Sequence, residues 1–305
     1  MSSQTDQSEQ QTSVGIVSAL TERLEHREPY LLISPTVVWF LIFLIIPVLV
    51  IFMYSFLSYS NFNVVYEFTL ESWTSTLLSD AVVSTFVRTI GIALFITAVT
   101  LIFAYPIAYF LRFYVGEIMG IILLLFLVIP FWTSELIRTL GWFPILGRNG
   151  LINWMLLGFG ITDEPIRWLL FSLFSQTLGY LQNFLVFMAA PIYISLAQID
   201  EDLLDASQTL RSGPISTFRR VTLPLSLPGV AIGCIFTFVL AIGNFTVPQF
   251  LSGGDRTITM LIYEEVTRGL NYPNASAMSV VLLFVIFGFV YALLQVVDIT
   301  DIAQG

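Results

Sequence analysis

The sequence lacks lysine altogether and contains a single cysteine, Cys234, and a single histidine, His26. Without lysine the chain cannot form a lysine Schiff base or the phosphate-binding loop G-x-x-x-x-G-K-[ST], so another subunit must bind any ATP that drives this protein. One cysteine and one histidine exclude an internal disulfide, a cysteine-cluster zinc site and the H-E-x-x-H zinc motif. We therefore predict no metal ligand, no catalytic residue and no cofactor bound by this chain.

Charge is also scarce. Charged residues make up 11% of the 305 positions and hydrophobic residues 56%, whereas a soluble domain carries about 25% charged residues. The balance is acidic, with 12 arginines against 21 Asp and Glu, and a phosphate backbone is recognised by basic patches. Composition thus excludes a soluble enzyme and disfavours a nucleic-acid partner.

Six long segments without any charged residue divide the chain, and each has at least 17 residues, rich in Leu, Ile, Val and Phe. A membrane-spanning helix needs about 20 residues of this kind. Apolar and polar residues do not alternate in these segments, as they would in a transmembrane strand. The sequence therefore predicts an all-α integral membrane protein whose six transmembrane helices lie near residues 33–58, 89–111, 118–136, 169–197, 225–250 and 277–297. The shorter uncharged segment Asn149–Thr162 is predicted to be interfacial or re-entrant.

The polar segment between the fourth and fifth spans, residues 200–214, has a helical pattern of its own. Acidic residues crowd its start, where they complement a helix dipole, and small and apolar residues then recur at helical spacing. Gly213 and Pro214 break the chain, and Pro214 suits the first turn of a second short helix. The pattern predicts an amphipathic helix–turn–helix whose apolar stripe is covered by another protein.

This segment resembles the EAA loop of binding-protein-dependent ABC importer permeases. Asp205-Ala206-Ser207 stands at the E-A-A position, and the end of the family pattern is matched by Thr217-Phe218-Arg219-Arg220-Val221-Thr222-Leu223-Pro224. The spermidine/putrescine-type branch of these permeases is resembled by the segments Pro130–Ser134, Leu136–Thr139 and Leu146–Asn153.

The resemblance implies an ABC type-1 importer transmembrane domain. Its core would run over 87–297 with a coupling loop at 199–224, after a polar tail at 1–30 and a first transmembrane helix at 31–60. Because six arginines lie on each side of the spans, the positive-inside rule does not orient them. The resemblance does, since it implies that the loop faces the cytoplasm. Both termini, including the short tail 298–305, would then be cytoplasmic and the chain would lie in the cell membrane.

The resemblance also implies partners. They are two copies of a separate ABC ATPase that uses the ATP, a second permease subunit, an extracytoplasmic substrate-binding protein and membrane lipid. The residues predicted to couple this chain to the ATPase are Asp205, Ala206, Ser207, Arg211, Gly213, Arg219, Leu223 and Pro224. Arg211 stands where the family has a glycine, and arginine adopts glycine's turn conformation reluctantly, so the bend of the loop stays open.

Polar residues inside apolar spans are candidates for the substrate path, because an idle charge is costly there. The path residues predicted on this basis are Glu135, Tyr180, Asn183, Asn244 and Phe245. A carboxylate with aromatic and amide neighbours suits an organic cation, and the resemblance implies a polyamine of the spermidine or putrescine kind. In the family an acidic residue often fills the position of Asn244. An alternative for Glu135 is a structural salt bridge to Arg138, three residues on in helical register.

Other functions stay open at this point. The substrate of such a permease could be another small solute such as an inorganic ion. An ion-gradient-driven secondary transporter often shows inverted repeats, and the sequence has no convincing internal repeat. An intramembrane enzyme would need paired acids, a nucleophile with a base, or metal ligands in the bilayer, and the six spans contain no acid pair.

Overall fold

The computed structural model describes residues 28–200, 202–204, 207 and 213–296, and the chain divides into two compact units after Tyr54. In the first unit, the described residues form α1 (Glu28–Phe40), a π-helical turn (Leu41–Ile45) and α2 (Ile46–Tyr54) without a break. Ile33–Tyr54 is long and apolar enough to span a membrane, and its side chains are exposed on every side from Ile33 to Met53. A helix that is apolar all round suits a lipid environment.

The described part of the second unit is helical except for one hairpin. Its elements are β1 (Leu57–Ser60), β2 (Asn63–Phe68), α3 (Glu71–Leu78), α4 (Asp80–Phe113), α5 (Glu117–Phe126), α6 (Glu135–Leu140), α7 (Phe143–Leu146), α8 (Leu151–Gly158), α9 (Leu173–Ala197), α10 (Pro214–Thr217), α11 (Leu223–Gly243), α12 (Thr246–Leu251), α13 (Ile258–Glu264) and α14 (Tyr272–Val296). A 3₁₀ turn lies at Ile129–Trp132, and π-helical turns lie at Phe218–Thr222 and Glu265–Gly269.

The described residues contain five helices that are long and apolar enough to cross a membrane, and a bent pair of segments makes a sixth crossing if it is counted as one span. The pair is Ile118–Trp132 with Glu135–Gly158, and its two parts meet at 94°. The prediction of an all-α membrane protein is confirmed, but the third helix does not continue over the whole of 118–136 as placed from the sequence. Pro130 lacks a backbone N–H and disturbs the helical ladder, and Thr133 has an extended backbone.

Other helix ends also differ from the sequence prediction: the fourth span begins at Leu173 instead of 169 and the sixth at Tyr272 instead of 277. The first span ends at Tyr54 instead of 58, because the residues that follow pair as the antiparallel hairpin of β1 and β2. The second begins at Asp80, nine residues earlier than predicted, and an acid in the first turn complements the helix dipole. The fifth ends at Gly243 because Asn244 has an extended backbone, and a separate short helix, α12, follows.

Helix α9 is packed against α4 and α11 in the interior of the second unit. The backbones of α9 and α11 approach closely at Gly229 and Gly233, four residues apart on α11. A Cβ atom at Gly229 would lie 2.6 Å from Cβ of Ser195, and one at Gly233 would lie 2.7 Å from Sδ of Met188. Small residues at this spacing let membrane helices pack closely. The contact sets the register of α9 against α11, and with it the polar residues that both helices position.

The hairpin and α3 are tied to the π-helical turn after α13 and to the first turn of α14. Tyr59 Oη donates to the carbonyl of Gly269, and the hydroxyls of Ser75 and Thr76 donate to Asn274 Oδ1 at 3.0 and 3.2 Å. Because α3 precedes the start of α4, whereas Phe218 packs on Tyr105 and Tyr109 near the other end of that helix, these contacts and Phe218 lie at opposite ends of α4.

Candidate functional site

Three of the predicted path residues meet in one hydrogen-bonded cluster. Glu135 is the first residue of α6, Asn183 lies near the middle of α9, and Asn244 follows the last residue of α11. Oε1 of Glu135 accepts a hydrogen bond from Nδ2 of Asn244 and another, at 3.4 Å, from Nδ2 of Asn183. Side chains from three parts of the chain therefore converge on a single carboxylate.

Asn244 is oriented by contacts of its own. Its Oδ1 accepts from the amide of Val247 at 2.9 Å, in the first turn of α12, and its carbonyl accepts from Oγ1 of Thr259 at 3.0 Å. Because Oδ1 is held in this way, Nδ2 is directed towards Glu135. Asn183 is only 2% exposed, and its Oδ1 is buried without a hydrogen-bond partner. The cluster thus presents two kinds of acceptor, a carboxylate and a buried amide oxygen.

The two aromatic path residues lie in ring contacts. Tyr180 is 1% exposed and packs against Phe184, with ring centroids 5.7 Å apart. Phe245 is stacked on Tyr263 at 5.6 Å, with 13° between the planes. The structure therefore brings Glu135 together with both asparagines, and places the aromatic residues next to them along the chain rather than in the hydrogen-bonded cluster.

Arg138 lies one helical turn from Glu135, but no ion pair among the described residues joins the two. Its guanidinium lies over the ring of Phe131, with Cζ 4.7 Å from the centroid, and Phe131 packs edge-on against Phe187 at 5.1 Å. Nε and Nη1 of Arg138 are buried without a hydrogen-bond partner. The alternative interpretation, a structural salt bridge between Glu135 and Arg138, is therefore wrong for this conformation.

The end of the predicted coupling segment is anchored on α4 by aromatic rings. Phe218 opens the π-helical turn Phe218–Thr222 and meets Tyr105 edge-on at 5.6 Å and Tyr109 at 6.0 Å. Tyr105 and Ser226 share a hydrogen bond of 2.8 Å, so α4 is joined to the turn and to the start of α11. The sequence does not predict this contact, although two tyrosines four residues apart lie on one face of a helix.

The predicted apolar stripe is divided between the transmembrane domain and open surface. Leu204 packs against a buried apolar cluster of α4 and α9, whereas Leu203 and Ile215 are 50% and 74% exposed. Ser207 and Thr217 share a hydrogen bond of 2.9 Å that joins the two halves of the segment. The two exposed leucine and isoleucine side chains therefore mark the surface that the transmembrane domain leaves uncovered.

Of the remaining predicted coupling residues, four lie in the described segment 213–224 and three lie outside the described residues. Arg219 is exposed in the π-helical turn, and Leu223 and Pro224 begin α11. Gly213 precedes α10 with φ of −67°, a conformation open to any residue, so the observed backbone does not require glycine there. Asp205, Ala206 and Arg211 lie outside the described residues, as do the predicted tail 298–305 and residues 1–27 of the N-terminal tail.

The fold matches that of a known importer. The crystal structure of a bacterial ABC transporter involved in the import of the acidic polysaccharide alginate superposes with a TM-score of 0.69, covering 92% of this chain and 98% of that chain at 17% identity. This likeness establishes the fold as that of an ABC importer transmembrane domain. By sequence, the chain belongs to the family of binding-protein-dependent transport system inner membrane components, which matches residues 99–299.

Two curated relatives narrow the resemblance to one branch of this family. The spermidine/putrescine transport system permease protein PotB of Escherichia coli is 32% identical over 249 residues, which cover 81% of this chain and 90% of that protein. The PotB of Haemophilus influenzae is 33% identical over 260 residues, with 83% and 89% covered. The predicted resemblance to this branch of permeases is confirmed. Members of this family are membrane components of transport systems that depend on a binding protein. The alternatives of a secondary transporter and of an intramembrane enzyme are therefore excluded.

Proposed function

We propose that this chain lines the translocation path of an ATP-driven importer whose substrate is a polyamine. The observation that carries the proposal is the convergence of Asn183 and Asn244 on the carboxylate of Glu135. Neutral amide donors hold a carboxylate without cancelling its charge, so the charge stays available to a cation. The names of the two relatives, which are spermidine/putrescine permeases, support the same class of substrate.

The surroundings of the cluster favour a cation over other solutes. Helices α9, α11 and α12 contain no Asp, Glu, Lys, Arg or His, so none of them supplies a counter-charge to Glu135. A carboxylate in an apolar setting is costly unless it is paired. An inorganic anion would be repelled by it, and a neutral solute would leave it unpaired. Ammonium groups donate hydrogen bonds and match both the carboxylate and the unpartnered Oδ1 of Asn183.

The loop 199–224 is the proposed contact with the ATPase. Leu203 and Ile215 are exposed apolar side chains of this loop, and Arg219 is exposed as well; exposed apolar and charged side chains on one loop suit the groove of a partner protein. In this proposal two copies of a separate ATPase subunit hydrolyse ATP on the cytoplasmic side, where both termini of the chain also lie. A second permease subunit completes the path, and a binding protein delivers the substrate at the opposite face.

The proposal is tested by uptake into proteoliposomes that contain the complete transporter. Glu135→Gln should reduce the uptake of labelled spermidine about 10- to 100-fold, the effect of losing one hydrogen bond to a charged group. Coupling to the ATPase should stay intact, so ATP hydrolysis should persist. Glu67→Gln, at an exposed position of β2, is the matched control and should transport normally. Unchanged uptake in Glu135→Gln would refute the assignment of Glu135 to the path.

A further inference from the structure

Two opposite charges stand unpaired within one turn of α6. Glu135 and Arg138 are three residues apart, a spacing at which helical side chains can meet. Yet the carboxylate is bonded to the amides of Asn183 and Asn244, and the guanidinium lies over Phe131. Both side chains are half-buried, and a charge withdrawn from water is costly unless something pairs with it.

The elements around Arg138 contain no second acid that could serve. The spans α9 and α11, the short helix α12 and the 3₁₀ turn Ile129–Trp132 carry no Asp or Glu, so within these elements and α6 the carboxylate of Glu135 is the acid available to it. The ring of Phe131 stabilises the guanidinium only in part, since Nε and Nη1 remain without hydrogen-bond partners. A rotation of the two side chains on the same helix would satisfy both charges at once.

A substrate cation and Arg138 would compete for the same carboxylate. An ammonium group on Glu135 repels a guanidinium, whereas an empty carboxylate attracts it, and a guanidinium can add two parallel hydrogen bonds to the attraction between the charges. A ligand shifts a conformational equilibrium only through a difference in affinity between the states. Competition for one carboxylate supplies such a difference directly.

We propose that Arg138 is an internal counter-cation that displaces the substrate from Glu135. In the conformation described here the guanidinium lies over the ring of Phe131, and the carboxylate is free to bind a substrate ammonium. In a second conformation of the transport cycle Arg138 pairs with Glu135, and the bound cation is released. The inference rests on the proposed function of Glu135 and adds to it a residue that sets affinity and release.

The test is a double-mutant cycle on the complete transporter in proteoliposomes, with spermidine as the probe. Arg138→Gln should lower KM and kcat together, each on the order of tenfold, because the cation then binds without a competitor and leaves slowly. In a Glu135→Gln background the same change should leave KM unaltered, because nothing remains to compete for. Arg138→Lys keeps the positive charge and should restore most of the original KM. Arg148→Gln, at an exposed arginine, is the control and should behave as the parent.

The outcomes separate the two proposals. A lower kcat with unchanged KM in Arg138→Gln, equal in both backgrounds, would show that Arg138 only supports the fold and would overturn this inference. The same conclusion would follow if Arg138→Lys were as defective as Arg138→Gln. If Arg138→Gln does not assemble, Arg138→Lys alone decides the question. A KM equal to that of the parent supports competition, whereas a lowered kcat that lysine does not rescue opposes it. Normal uptake in Glu135→Gln alone would instead refute the assignment of Glu135 to the substrate path, on which this inference rests.

Discussion

The ring of Phe218 meets the ring of Tyr105 edge-on, with centroids 5.6 Å apart and planes at 89°. Phe218 belongs to the π-helical turn near the end of the proposed coupling loop, and Tyr105 belongs to α4, next to the interior proline Pro106. A proline removes one helical hydrogen bond and makes bending easier at that point. Movement of the coupling segment can therefore reach α4 through an aromatic contact that lies beside a weak point of the helix.

Phe218→Ala tests this link. The change removes both ring contacts and should leave ATP hydrolysis present while uptake falls severalfold, because the loop would move without carrying α4 with it. The measurement is the ratio of labelled substrate taken up to ATP hydrolysed in proteoliposomes. Edge-to-face aromatic pairs contribute about 0.5–1.5 kcal/mol beyond buried area, so a modest loss of stability is also expected.

Phe218→Tyr is the matched control for that experiment, because it keeps the ring and should keep the ratio. Tyr105→Phe preserves the ring contact and removes only the hydrogen bond to Ser226, so it should be milder than Phe218→Ala. Equal loss of uptake and of ATP hydrolysis in Phe218→Ala would mean that the contact supports folding alone.

The membrane spans could be predicted because charge is so scarce, whereas their breaks could not. Hydropathy treats 118–136 as one segment, since the residues on both sides of Pro130 are apolar. Hydropathy extends the first span to 58 for the same reason: the residues of β1 carry no charge and are compatible with either a helix or a strand. Pairing with β2 decides the matter, and a contact between strands is not a property of a single segment.

The residues of the polar cluster are predictable from the sequence, but the hydrogen bonds that join them are not. Glu135, Asn183 and Asn244 stand out because each is polar within an apolar stretch, and such residues are functional candidates by default. Their convergence depends on how α9 packs on α11, which sequence spacing does not report. The orientation of Arg138 was missed because i,i+3 spacing favours a pair with Glu135, while the ring of Phe131 offers the guanidinium another position.

Replacement of glycine by alanine should have opposite effects at two positions, one inside and one outside the contact between α9 and α11. Gly229→Ala should destabilise the protein by about 1–3 kcal/mol, because a Cβ would collide with the backbone and side chains of α9. Gly91→Ala in α4 is the control, since a Cβ there meets nothing within 4 Å, and should stabilise by about 0.5–1 kcal/mol. Thermal unfolding of the purified transporter measures both. Equal and small effects would contradict the close approach of the two helices.

Glu265, in the turn between α13 and α14, predicts a pH dependence of stability. Burial raises the pKa of its carboxyl above the ordinary value of 4.5, although a hydrogen bond from Asn274 opposes the effect, and the neighbouring Glu264 adds to the rise. A carboxyl whose pKa is raised by folding stabilises the protein fully below pH 4.5, and this contribution is lost as the pH rises through the folded-state pKa.

Glu265→Gln removes that titration. The melting temperature of the variant, relative to the parent, should increase as the pH is raised from 4 and then level off above the folded-state pKa. The measurement is thermal unfolding in lipid nanodiscs at a series of pH values. A difference in melting temperature that does not change with pH would show that Glu265 does not carry this dependence.

The orientation in the membrane is the prediction on which the coupling proposal depends. In a Cys234→Ser background, single cysteines at Ser3, Glu71, Asp202 and Gln304 report the side of each segment to a membrane-impermeant thiol reagent applied to intact cells. Glu71 and Asp202 are exposed in the structure, so their labelling reflects topology rather than burial. We expect labelling from outside at Glu71 alone, with the other three positions labelled only after the membrane is opened. Labelling of Asp202 in intact cells would place the loop 199–224 on the wrong side for an ATPase and would overturn the proposed coupling, whatever the substrate.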